Sequence, residues 1–180
     1  MRKIQFILGM LAVASSSATL AYDGTINFTG KVVAQTCSVA TGSGSLSVVL
    51  PTVSTTTLSA DTKTAGLTPF TIQLTGCTVP ATSGVDKVNA YFEPNANTDY
   101  TTGNLTNTAS SGASNVQIQL LNADGVTPIK LGQDATGQNV TAVQIDNAAM
   151  KLRYNAQYYA TAPATAGDVS ATVNYTIVYQ

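Results

Sequence analysis

The C-terminal stretch Asp168-Val-Ser-Ala-Thr-Val-Asn-Tyr-Thr-Ile-Val-Tyr179 decides the fold class. Its odd positions are Val169, Ala171, Val173, Tyr175, Ile177 and Tyr179. The even positions Asp168, Ser170, Thr172, Asn174 and Thr176 are polar, and only Val178 breaks the alternation. Successive side chains of an extended chain point to opposite faces, so the pattern predicts a long strand over Val169–Tyr179 with one buried face. Upstream, Met150, Leu152, Tyr154, Ala156 and Tyr158 alternate with Lys151, Arg153, Asn155 and Gln157 in the same way. Shorter runs at Leu46–Leu50, Phe70–Leu74, Val88–Phe92, Val116–Leu121 and Val140–Ile145 read as further strands. Turn chemistry such as Asn122–Gly125 and Ala162-Pro163 separates them. The weakly patterned stretches Thr52–Thr68 and Asn95–Ser114 read as long surface loops. Many short strands and no helical stripe predict an all-β sandwich or barrel.

Composition narrows the function. Hydrophobic residues make up 44% of the 180-residue chain, enough for a sizeable core. Charged residues make up only 9%, against roughly 25% in a typical domain, so the surface is polar but nearly uncharged. A net charge of −1 argues against nucleic acid as a partner, which calls for a basic stripe. The chain has no His, which excludes Ser-His-Asp and Cys-His catalysis and every His-based metal site. The carboxylates are scattered, and Asp99 and Asp124 read as turn residues rather than catalytic ones. No catalytic residue, cofactor site or metal site is expected.

The N-terminus reads Met1-Arg2-Lys3, an apolar run from Ile4 to Ala14, Ser15–Ser17 and the small-residue site Thr19-Leu20-Ala21. That order predicts a secretory signal peptide over residues 1–21 and an exported chain. The apolar run is about half of what a membrane span requires, so no membrane insertion is expected. In an exported chain the two cysteines, Cys37 and Cys77, favour a disulfide over a redox pair or metal ligands.

After the expected cleavage, Tyr22–Val33 carries Gly24, Ile26, Phe28, Gly30 and Val32 on one face and Thr25, Asn27, Thr29 and Lys31 on the other. Extended, these twelve residues reach roughly 40 Å. An apolar-faced strand must pair with something, and periodicity does not distinguish the chain's own sheet from a neighbour's.

These residues resemble a known family, the pilin subunits of chaperone–usher fimbriae, close to the type 1 pilus major subunits. Four features carry the resemblance. Gly30-Lys31-Val32-Val33 followed by Cys37 looks like the family's junction between N-terminal extension and first strand, and the Cys37–Cys77 spacing is similar to its disulfide. Gly167 lies fourteenth from the C-terminus and Tyr179 is penultimate, where the family places a Gly and an aromatic. Between these four features, Arg153–Thr161 looks like the penultimate pilin strand.

The resemblance implies an incomplete immunoglobulin-like β-sandwich over residues 34–180, completed by a donor strand from a neighbouring subunit. It implies a structural subunit of a surface fimbria, most like a major shaft subunit supporting adhesion. Such subunits pass through the periplasm with a chaperone, reach an outer-membrane usher, and polymerise with identical or homologous pilins. Carried over, the donor strand is residues 22–33 with Gly24, Ile26, Phe28, Gly30 and Val32 facing the acceptor. The groove edge and chaperone-pairing strand comprises Gly167, Val169, Ala171, Val173, Tyr175, Ile177 and Tyr179. Only two residues precede Gly24 after cleavage, fewer than some major pilins carry.

Two other classes fit less well. A carbohydrate-binding sandwich would offer aromatic platforms, yet the chain has no Trp, and Tyr100 is the one loop tyrosine that reads as exposed. A secreted enzyme would need carboxylates gathered on one face.

Overall fold

The computed structural model describes residues 25–32, 37–79 and 86–180. The expected signal peptide, Tyr22, Gly24 and Val33 lie outside the described residues. Nine strands form among those described: β1 (Ser38–Val39), β2 (Thr64–Thr75), β3 (Lys87–Glu93), β4 (Thr98–Asp99), β5 (Asn104–Thr106), β6 (Val116–Leu121), β7 (Val143–Gln144), β8 (Ala149–Ala160) and β9 (Asn174–Tyr179). They build two antiparallel sheets, ordered β1-β2-β8-β6-β5-β4 and β7-β3-β9.

The first sheet is organised by β8, which pairs with β2 on one side and β6 on the other. Its Met150, Leu152 and Tyr154 are buried while Lys151 and Arg153 face solvent, the alternation expected from the sequence. Pro69 interrupts no ladder on its far side, because β1 covers only Leu74 and Thr75 of β2. The core is continuous across both sheets, with Ile72, Leu74 and Leu152 from one packed with Val88, Ala90 and Phe92 from the other.

Polar side chains complete what the strands leave open. Gln138 is fully buried; its Oε1 accepts the Phe92 N–H at 3.1 Å and its Nε2 donates to the Phe92 carbonyl at 2.6 Å. One amide thus does for β3 what a neighbouring strand would do. The strand expected over Val140–Ile145 is accordingly reduced to Val143–Gln144, pairing only with Lys87 and Val88. The expected loop Asn95–Ser114 holds the β4–β5 hairpin, fastened by Asp99. Its carboxylate accepts the Thr101 and Thr102 N–H groups and the Gln117 Nε2, and the Thr101 bond leads in holding it below the usual carboxylate range. Asp124 likewise serves its turn, accepting from Val126 and Thr127.

Two further expectations need correction. The strand predicted over Phe70–Leu74 is longer, taking in Thr64–Thr68 of the expected loop, with a register shift between Ala65 and Thr68. The strand predicted over Val169–Tyr179 is a ladder only from Asn174. Its first half runs beside the irregular segment 107–113: the Thr108 and Ala113 N–H groups donate to Ser170 and Asp168 carbonyls, and Asn107 Oδ1 accepts the Ser170 N–H. Alternation dictates extended backbone, but a loop partner does not make a ladder.

Tyr154 joins the two sheets. Its ring lies 5.7 Å from Phe70 and edge-on to Phe92 at 5.2 Å, and its hydroxyl accepts the Ala90 N–H at 3.0 Å. Burial pushes its phenol up to about 12, with the Ala90 bond opposing. The unfolded chain ionises near 10, so this residue's contribution is complete below about pH 10 and lost as pH rises towards 12. Urea midpoints should therefore fall across that window. Tyr154→Phe should flatten the fall while lowering stability at neutral pH, since the buried Ala90 N–H loses its acceptor. An unchanged pH slope in that variant would count against the assignment.

Candidate functional site

A groove of about 880 Å³ opens on one side of the sandwich. One wall is the segment from Gly44 to Leu50; the other is Val169, Ala171, Thr172, Val173, Asn174 and Tyr175. The floor is apolar, made by Phe70, Ile72, Phe92, Leu105, Ile118, Leu120, Ala156 and Tyr158.

Both walls present an unpaired backbone edge to the groove. Lys87 and Gln180 exchange both N–H···O bonds. Antiparallel pairing alternates, so Val178, Thr176 and Asn174 are the other bonded positions of β9. The N–H and C=O of Tyr175 and Ile177 then point to the outer edge. The alternation continues upstream, where Asp168, Ser170 and Thr172 bond inward to the 107–113 segment and to Asn95. Val169, Ala171 and Val173 make no such bond to another described residue. The same holds for the backbone of residues 44–50. The strand expected over Leu46–Leu50 is absent for this reason: the residues suit a strand, but none lies beside them.

Burial tells the same story. Val169, Ala171, Val173, Tyr175, Ile177 and Tyr179 all pack on the core, yet each is only half-buried. Leu50 and Phe70 are also half-buried, and Leu46 and Val49 are exposed. Half-buried or exposed apolar walls over an apolar floor, beside two unpaired edges, amount to a sandwich short of one strand.

The sequence-derived residues divide into groups. Val169, Ala171, Val173 and Tyr175 line the groove; Ile177 and Tyr179 lie past its end. Gly167 seats the start of this wall, because a Cβ there would come within 2.5 Å of the Ala113 nitrogen. Ile26, Phe28 and Val32 are in no strand and are exposed, Phe28 at 90%, and a Cβ on Gly30 would meet nothing within 4 Å. Gly24 lies outside the described residues. Cys37 and Cys77 are joined in a disulfide. Sequence reasoning gave no role to the Gly44–Leu50 wall or to the floor. The run Leu46-Ser-Val-Val-Leu50, stopped by Pro51, was the available signal for the wall.

The family described as type-1 fimbrial protein, A (FimA) matches residues 50–180. The chain is 72% identical to the F17 fimbrial protein of Escherichia coli over the whole of both chains. It is 46% identical to the major fimbrial subunit SMF-1 of Stenotrophomonas maltophilia, covering 94% of this chain and 99% of the relative. Among solved structures, a chaperone-usher pilus matches with TM-score 0.60 at 21% identity, covering 87% of this chain and 95% of that one. The P pilus rod subunit PapA matches with TM-score 0.59 at 20% identity, covering 80% and 99%. The fold is therefore that of pilus rod subunits, an immunoglobulin-like sandwich left incomplete. With the open groove, the unpaired edges and this kinship together, the chain belongs to the type-1 fimbrial protein family and is a structural subunit of a surface fimbria.

Proposed function

We propose that the subunit polymerises by donor-strand exchange, with residues 22–33 of one copy completing the sandwich formed by residues 34–180 of the next. The observation that carries this reading is the apolar groove between two unpaired backbone edges, in a chain whose own N-terminal segment presents an exposed alternating face. Strand addition supplies main-chain hydrogen bonds to both edges, and alternate side chains fill the floor. Ile26, Phe28 and Val32 each contribute roughly 1.5–3 kcal/mol on burial. Gly24 and Gly30 suit places where the donor backbone approaches the floor closely. Before assembly the same groove takes a strand from a periplasmic chaperone, which pairs along Val169–Tyr179, and the outer-membrane usher exchanges one for the other. The role is structural, not enzymatic.

Deleting Tyr22–Thr29 tests this. The shortened subunit should accumulate with its chaperone at normal levels and be absent from fibre interiors, since it accepts a strand but donates none. A shortened subunit that is degraded despite the chaperone would show instead that the segment is a core strand of its own sheet.

A further inference from the structure

Residues 168–173 begin the C-terminal wall and precede β9. A single bridge between Gly112 and Asp168 is their one ladder-like pairing among the described residues. Their inward backbone groups are nonetheless taken at every second residue. The Asn107 amide makes four bonds here, the full capacity of the group. Its Nδ2 donates to the Asp168 carbonyl at 2.8 Å and to the Ala113 carbonyl at 3.0 Å. Its Oδ1 accepts the Ser170 N–H at 2.9 Å and the Ala109 N–H at 3.1 Å. The Thr108 N–H and hydroxyl donate to the Ser170 carbonyl at 2.8 and 3.0 Å. Asn95 Nδ2 donates to the Thr172 carbonyl at 2.9 Å. Gly112 leaves the space for the amide, since a Cβ there would come within 2.5 Å of Asn107 Nδ2.

We propose that Asn107 is the positioning residue of the acceptor edge, holding the start of the C-terminal wall extended before any strand arrives. The inference rests on the donor-strand reading above and names what prepares this edge for it. An extended chain turns the backbone groups of alternate residues to opposite sides. Fixing Asp168 and Ser170 inward therefore turns the N–H and C=O of Val169 and Ala171 outward, in line with those of Tyr175 and Ile177. For residues 174–179 the partner strand β3 does this; farther up, one loop amide does it. Thr108 bonds only Ser170 of the wall, and Asn95 only Thr172. Asn107 bonds two wall residues and ties them to both Ala109 and Ala113 of the facing loop. Without it, an incoming strand must order this backbone as it binds, and that ordering opposes binding.

Full-length subunit purified on its chaperone tests this, with synthetic Tyr22–Val33 peptide in excess as the incoming strand. The readout is the residence time of labelled peptide when chased with unlabelled peptide. Asn107→Ala should shorten it about tenfold, as expected for the loss of a few modest hydrogen bonds. Asn107→Asp, which keeps the shape and loses both donors, should shorten it less. Asp124→Ala breaks a turn outside the groove lining and should leave it unchanged. Amide exchange in the same complexes localises the effect. The Ser170 N–H should exchange faster in Asn107→Ala, while Val178, paired with β3, keeps its protection. An unchanged residence time in Asn107→Ala, an equal loss in Asp124→Ala, or faster exchange at both amides overturns the proposal. So does loss of both Asn107 variants from the chaperone, which would make the residue one of folding. If the peptide fails to replace the chaperone on the unsubstituted subunit, donor-strand exchange itself fails. If it binds that subunit and every variant alike, only the positioning role falls.

Discussion

Phe28→Asp should abolish the chain's ability to hold its neighbour in the fibre while leaving the subunit itself intact. Phe28 is exposed and belongs to no strand, so changing it removes no buried side chain and no strand pairing. In the proposed junction the same side chain enters a groove floored by Phe70, Ile72, Phe92, Ile118 and Leu120. There a carboxylate forfeits roughly 1.5–3 kcal/mol of apolar burial and adds a desolvation cost of several kcal/mol. Main-chain bonds along both edges remain available but do not offset a buried, unpaired charge. Chaperone-bound subunit should therefore be recovered at wild-type levels while surface fibre falls to near zero. Phe28→Leu, which keeps the apolar contact, should retain most of it. Quantifying both pools for the two variants checks the claim, and wild-type fibre from Phe28→Asp would sink it.

The sequence made the faces legible and the pairing illegible, for a physical reason. Alternation over Val169–Tyr179 correctly predicts which residues turn to the core, because side-chain direction is fixed by extended backbone alone. It does not say what lies beside that backbone. The first half of the stretch leans on the 107–113 loop and only Asn174–Tyr179 joins a ladder. Leu46–Leu50 fails as a strand on the same ground, since apolar residues suited to a strand are stranded without a neighbour. Val140–Ile145 fails differently: the buried amide of Gln138 takes the place of part of a strand, a substitution that no periodicity reveals. The groove follows this logic. Half of it could be read, as the alternating face of the C-terminal wall. The floor comes from segments distant in sequence that the register of β2, β3, β5, β6 and β8 brings together, and the other wall follows from the attachments of the Cys37–Ser43 segment.

Cys37→Ser should be the most damaging single change to the subunit before assembly, and the architecture of the groove says why. The wall from Gly44 to Leu50 has no backbone hydrogen bond to another described residue, so its position depends on what precedes it. What precedes it is held by the Cys37–Cys77 disulfide, by the two-residue pairing of β1 with β2 and the Ala40 N–H bond to the Gln73 carbonyl that follows it, and by the Ser43 contacts to Gln73 and Tyr175. The disulfide closes a 40-residue separation, worth about 4 kcal/mol in the chain-entropy model. That is a large part of the 5–15 kcal/mol typical of a complete domain, and this one lacks a strand. Cys37 also presents its N–H to Tyr179, so releasing it loosens the wall and the end of β9 together. The serine subunit should consequently be degraded in the periplasm, with little recovered on the chaperone and little fibre. Cys77→Ser and the double serine variant should behave alike, because each removes the same single bond. Once inside a fibre, the donor strand would bridge both walls, and reduction should cost far less. Assembled fibres treated with reductant should therefore keep most of their thermal resistance. Normal recovery of chaperone-bound Cys37→Ser subunit would show that the wall is held by β1 and Ser43 alone.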